Sequence, residues 1–176
     1  DFLARALDPP SSKAIKESVK ELQAIQAFNE QQQLTPLGRL LANIPIHPRT
    51  SKMLVTATLL KCVTPVETMV AAMGEKVFRS TLMMESKLAL NAYLRRIGEN
   101  LYSDHLAILK VFNDWCRGER SMCNVFSDFG LARMNKSKQS IHSPLSKAMF
   151  DESVNVAEYD RNATDKNLLR FVLLSG

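Results

Sequence analysis

Asp128 to Arg133 reads Asp-Phe-Gly-Leu-Ala-Arg, a string whose aspartate could hold a magnesium ion on nucleotide phosphates. That chemistry also needs a Gly-rich loop, a strand lysine and an HRDxxxxN catalytic loop upstream, and residues 1–127 contain none of them. The match is read as accidental. Other reactive groups are sparse. His47, His105 and His142 are scattered, with no Ser/His/Asp set, no HExxH and no GxxxxGK[ST] phosphate loop. Cys62, Cys116 and Cys123 are odd in number and show no CxxC or Cys/His pairing, so they read as reduced thiols. No catalytic, cofactor-binding or metal-binding residue is assigned, and this chain is not expected to hydrolyse ATP.

What remains is the chemistry of binding. Lys and Arg number 23 against 18 Asp and Glu, and the net charge of +5 is compatible with a polyanionic partner, although such an excess is common on surfaces that bind nothing acidic. Lys87, Asn91 and Arg95 recur every fourth residue along the exposed line of a helix expected over 84–97. They form either a solvated face or a contact for such a partner. Ser103 stands at the start of the next helix, where its hydroxyl and the free amides of the first turn make a seat for a phosphate. Farther on, Arg133, Lys136 and Lys138 are open to the same two readings.

The elements that must position these groups follow from local rules. Ser11 or Ser12 caps a helix of about four turns in which Ile15, Val19, Leu22 and Ile25 share a face. After the polar turn Gln31–Gln33, a short strand at Leu34-Thr35 leads to a helix opened by Thr35-Pro36, with Leu37, Leu40 and Leu41 on one side. Pro45 and Pro48 forbid continuation, and a short return strand is expected near Ile44–Ile46. Helix, turn, strand, helix, strand is the plan of a winged helix. Beyond the prolines, Met53, Leu54, Ala57, Leu59, Leu60 and Cys62 predict a helix buried on nearly all sides. A helix capped by Thr64 follows, burying Val66, Met69, Val70 and Met73 and stopping at Gly74. Leu106, Leu109, Phe112 and Cys116 form the packed side of a helix over 103–117, with Trp115 beside it. Leu131 and Met134 mark the buried face of a long helix that Gly130 and Pro144 should bend or break. Residues 151–165 read as loop and 167–175 as a closing helix. No apolar run approaches the roughly 20 residues of a membrane span, and no signal pattern opens the chain, so an intracellular location is expected.

The run LTPLGRLLANIPIHPRTSKML, with ALDPP before it at Ala6–Pro10 and SDHLAILKVFNDW after it at Ser103–Trp115, resembles the helicase-associated region of DEAH-box RNA helicases. The wording is most similar to the RNA helicase A and maleless branch. Cys123, Asn124, Phe126 and Ser127 resemble the lead into that family's long helix, and NLLRFVLLSG resembles its last helix before an oligonucleotide-binding fold. The resemblance implies a mostly α chain, with a winged helix over 1–47 and a ratchet-like helical bundle over 48–176.

It also implies an accessory domain of an ATP-dependent RNA helicase, cut from a longer protein, that couples RecA-like motor domains to a grip on single-stranded RNA in the nucleus or cytoplasm. The bundle then forms one wall of the strand channel, with Ser103, His105, Asn113 and Arg117 facing the strand. Arg95, Arg133 and Lys138 join them as nucleic-acid-binding candidates. ATP and magnesium belong to the motor domains of the parent, since this chain has no DEAH box. In the winged helix, Arg39 and Asn43 of the second helix are discounted, because the family uses that module mainly as a hub. The alternative is a protein-interaction scaffold of the same helicase with no RNA contact.

Overall fold

The computed structural model describes residues 5–76, 88, 92, 103–119 and 126–176. Seven α-helices are seen among them: α1 (Ser12–Ala24), α2 (Pro36–Ala42), α3 (Pro48–Leu59), α4 (Val63–Met73), α5 (Asp104–Cys116), α6 (Asp128–Met149) and α7 (Lys166–Leu174). A short 3-10 turn, Val156–Asp160, lies before α7. Of the helix expected over 84–97 only Leu88 and Ala92 are described; its Lys87, Asn91 and Arg95, and the pair Cys123 and Asn124, lie outside the described residues.

The first two helices begin where their caps require. The Ser11 hydroxyl accepts the Ala14 amide at 3.2 Å, and the Thr35 hydroxyl accepts the Gly38 amide at 2.9 Å while donating to the Gln26 carbonyl at 2.7 Å. Between them the chain reverses through Asn29, whose side chain accepts the Gln33 amide at 2.8 Å. One antiparallel bridge, Phe28 to Leu34, is all the pairing this reversal carries. The expected return strand at Ile44–Ile46 is absent. Pro45 has no amide to donate, and the Ile46 amide turns back onto the Ile44 carbonyl at 2.8 Å. α1 has no fully buried residue; of its stripe, Leu22 reaches the core, while Ile15 and Val19 stay partly exposed.

α4 is the hub of the bundle, packing on α3, α5 and α6. Leu54 and Ala57 of α3, Val66 and Met69 of α4, Met134 and Leu145 of α6 and Val172 of α7 are fully buried in one cluster. Each large side chain there contributes about 1.5–3 kcal/mol by leaving water. Three residues expected inside lie outside: Leu59 is 72% exposed and Met73 46%, and Cys116 is exposed. Each sits in the last turn of its helix, where the next chain segment turns away. α6 runs unbroken through Pro144. Gly130 does not interrupt it either, because it lies in the first turn with its amide on the Ser127 hydroxyl at 3.2 Å.

Thr64 does not cap α4. Cys62 holds the N-cap position without a side-chain bond, and the cap comes from Asp160, far along the chain, which accepts the Thr64 amide at 2.7 Å and the Thr64 hydroxyl. Nearby, Asn162 donates to the Leu60 carbonyl at 2.9 Å, and Lys61 pairs with Glu158 at 3.2 Å. The stretch read as loop is therefore a clamp on the α3–α4 corner. Asp160→Ala is expected to cost about 1–2 kcal/mol, as loss of an N-cap does. A urea melt followed by circular dichroism checks it.

Candidate nucleic-acid interface

α5 presents His105, Leu109, Asn113 and Arg117 at four-residue intervals, hence along one slowly turning stripe. Leu109 leans on the core, whereas Asn113 and Arg117 are exposed. Ser103 occupies the N-cap position, but its hydroxyl makes no capping bond. At the other end of the helix the charges are already matched. Asp114, 8% exposed at its side chain, takes Lys110 at 3.1 Å and also pairs with Arg117, and Glu119 holds the Arg117 Nε at 3.1 Å.

α6 places its basic residues on two sides. Lys138 lies over the Phe112 ring of α5, 5.8 Å from its centroid. Arg133 turns the other way, to Glu75 just beyond α4, at 2.8 Å, and Ser137 donates to the same carboxylate at 2.8 Å. Between α4, α6 and the start of α3 lies a groove of about 660 Å³, whose polar lining includes His47, Thr50, Arg133, Lys136 and Ser140. Val70, Ala71 and Ile141 give it an apolar floor. Among the described residues none from α5 lines it. The predicted residues thus fall into an α5 stripe with Lys138 beside it, and Arg133 in a separate groove; Arg95 lies outside the described residues.

One buried ionisable group joins α4 to α6. The Glu67 carboxyl, 2% exposed, meets His142 Nδ1 at 2.8 Å. Burial pushes the Glu67 carboxyl above its ordinary value of 4.5, opposed by the hydrogen bond and charge of His142 and by Lys138. His142 packs edge-on against Phe150, which stacks on Tyr159 at 4.0 Å. A lone carboxylate in the apolar run VTPVETMVAAM was the one sequence signal for this pair.

Asp128, in the string read as an accidental match, has a structural place. Asp128 opens α6, and its Oδ1 accepts the Trp115 indole N–H at 2.9 Å. No group of three His, Cys, Asp or Glu side chains that could hold a metal ion occurs among the described residues. Cys62 is equally unreactive, because burial, with Asp160 and Asp165 nearby, pushes its thiol up to about 11.

Comparison with known proteins gives the family. The helicase associated domain (HA2), winged-helix, matches residues 18–46, and the helicase associated domain (HA2), ratchet-like, matches residues 47–108. The chain belongs to the helicase-associated HA2 family. Over all of its length this HA2 chain is 30% identical to the DExH-box ATP-dependent RNA helicase DExH3 of Arabidopsis thaliana, covering 15% of that protein. It is 32% identical to DExH1 of the same plant, over 99% of the chain and 18% of the relative. To the ATP-dependent DNA/RNA helicase DHX36 of Bos taurus it is 30% identical, again over 99% of the chain and 18% of the relative. The HA2 chain therefore spans less than a fifth of these relatives. The matches show the helicase-associated region of DExH/DEAH-box RNA helicases, and do not single out the RNA helicase A and maleless branch. No described helix is long and apolar enough to cross a membrane.

Proposed function

We propose that this chain is an accessory unit of an ATP-dependent RNA helicase, a winged helix to residue 47 and a bundle beyond it, that grips single-stranded RNA. It couples that grip to RecA-like motor domains and an oligonucleotide-binding fold of the same parent, in the nucleus or cytoplasm, while the motor domains bind ATP and magnesium. The observation that carries this reading is the tandem HA2 match together with whole-chain similarity to proteins named as RNA helicases.

The geometry supports it in kind. Ser103, His105, Asn113 and Arg117 along α5, Arg133 and Lys138 on α6, and Arg95 supply hydroxyl, amide and cationic groups of the types that bind sugar and phosphate. Such contacts carry little sequence information. Reversing Arg95, Arg117 and Lys138 together to Glu in the full-length protein is expected to lower strand unwinding by on the order of tenfold or more. Unwinding at the normal rate would overturn the proposal.

A second reading, a protein-docking scaffold, is favoured by Phe171 and Leu174, exposed one turn apart on α7 at 59% and 85%. It predicts partner binding that tolerates salt, whereas RNA binding weakens steeply as salt rises.

A further inference from the structure

The two helices that carry the candidate residues differ in charge. α5 sets Asp104 and Asp114 against Lys110, and both Lys110 and the following Arg117 rest on Asp114. α6 sets Arg133, Lys136, Lys138 and Lys147 against Asp128 alone, whose carboxylate already accepts from Trp115. An incoming phosphate therefore meets a matched surface on α5 and an excess of cations on α6.

We propose that the groove between α4 and α6 is a binding site for the phosphate backbone of single-stranded RNA. Lys136 and Arg133 supply its charge, and Thr50, Ser140 and His47 supply further polar contacts. This rests on the RNA reading above and names a site for it. At about 660 Å³ the groove falls within the range of about 300–1,000 Å³ in which ligand pockets lie. Its lining includes no Phe, Tyr or Trp among the described residues, and the single ring there is the imidazole of His47, so bases find no extended stacking platform. Hydroxyls and cations above a small apolar floor suit sugar and phosphate instead, which makes the grip indifferent to sequence.

Glu75 sets the strength of this site. It is the one carboxylate among the described lining residues, and it holds Arg133 and Ser137 at 2.8 Å each. A phosphate in the groove competes with Glu75 for Arg133. Removing the Glu75 charge therefore tightens RNA binding, a gain that a merely structural role for Glu75 does not give.

The test is fluorescence anisotropy of this chain with labelled oligouridine over a series of salt concentrations, with polyglutamate as a second polyanion and thermal melts to verify folding. Lys136→Glu is expected to weaken oligouridine binding about fivefold or more at low salt and to reduce the slope of log affinity against log salt by about 1. Glu75→Gln is expected to tighten binding by about threefold to tenfold and to steepen that slope. Asp114→Asn, which releases Lys110 and Arg117, examines the competing surface. A gain from Asp114→Asn with none from Glu75→Gln, or binding unmoved by Lys136→Glu, overturns the groove and leaves the RNA reading standing. Tighter capture of polyglutamate than of oligouridine also overturns it. No binding of oligouridine by the unmodified chain at low salt overturns the groove and the RNA reading together.

Discussion

Gly38→Val is expected to destabilise the chain by about 3 kcal/mol and to lower its melting temperature by roughly 6–12 °C. Gly38 is buried in α2, where that helix crosses the turn after α1. A Cβ there would overlap the carbonyl oxygen of Ala27 and lie 2.9 Å from its carbon and 3.0 Å from a Leu34 methyl. The obstacle is backbone, and it cannot step aside, because the same Ala27 carbonyl accepts the Thr35 amide at 3.0 Å. Either the helix lifts off or the turn opens, and both undo the Phe28–Leu34 bridge and the Thr35 cap. Gly74→Ala is the contrast. At that position the nearest neighbour of a new Cβ is 3.8 Å away, and the melting temperature is expected to move by no more than about 2 °C. Thermal melts of the two variants decide it; equal, small shifts would contradict the packing described here.

His142→Ala is expected to cost about 2–3 kcal/mol at pH 8 and less at pH 5. The substitution takes from the buried Glu67 carboxylate its 2.8 Å partner, leaving the more distant charge of Lys138. Burial comes first among the causes that raise the Glu67 carboxyl above 4.5, so the folded chain binds that proton more tightly than the unfolded chain. Its favourable contribution is therefore complete below the ordinary carboxylate value and is lost as pH rises through the raised folded value. Without His142 the ionised form is poorer still, and the penalty grows with pH. Glu67→Gln keeps a hydrogen-bonding group at the same place and carries no charge. It is expected to flatten the decline in stability above pH 4.5. Urea melts across that pH range check both variants. A His142→Ala penalty that is constant with pH would show that Glu67 is not ionised in the folded chain.

Where the cause of a feature lies within a few residues, the sequence alone reveals it. Thr35-Pro36 marks a helix start that the structure places at the same residues, and of the two caps offered for the first helix, Ser11 or Ser12, it is Ser11 that serves, because a cap or a prolyl ring acts on the adjoining turn. Leu131 and Met134 lie on the buried face that their spacing indicates. Features whose causes lie far along the chain were out of reach. The amide cap of α4 belongs to Asp160, 96 residues from Thr64, and no local rule connects the two. Glu75 and Arg133 form their ion pair only because α4 and α6 lie side by side, and that pair changes Arg133 from a free cation into a contested one. Arg117 is tied to Asp114, an i,i+3 neighbour that helical spacing does offer, and to Glu119 through the tight turn that ends α5. Pro144 was expected to bend or break α6. The helix is not broken there: it runs on with Leu145 fully buried next to the proline, and that packing offsets the lost backbone bond.

The central claim is that this chain grips single-stranded RNA, and fluorescence anisotropy with labelled single-stranded RNA at two salt concentrations tests it most directly. The account predicts weak binding at low salt that falls steeply at high salt and weakens further when Arg95, Arg117 and Lys138 are reversed together. No binding at low salt, or binding indifferent to salt and to the three reversals, would contradict it.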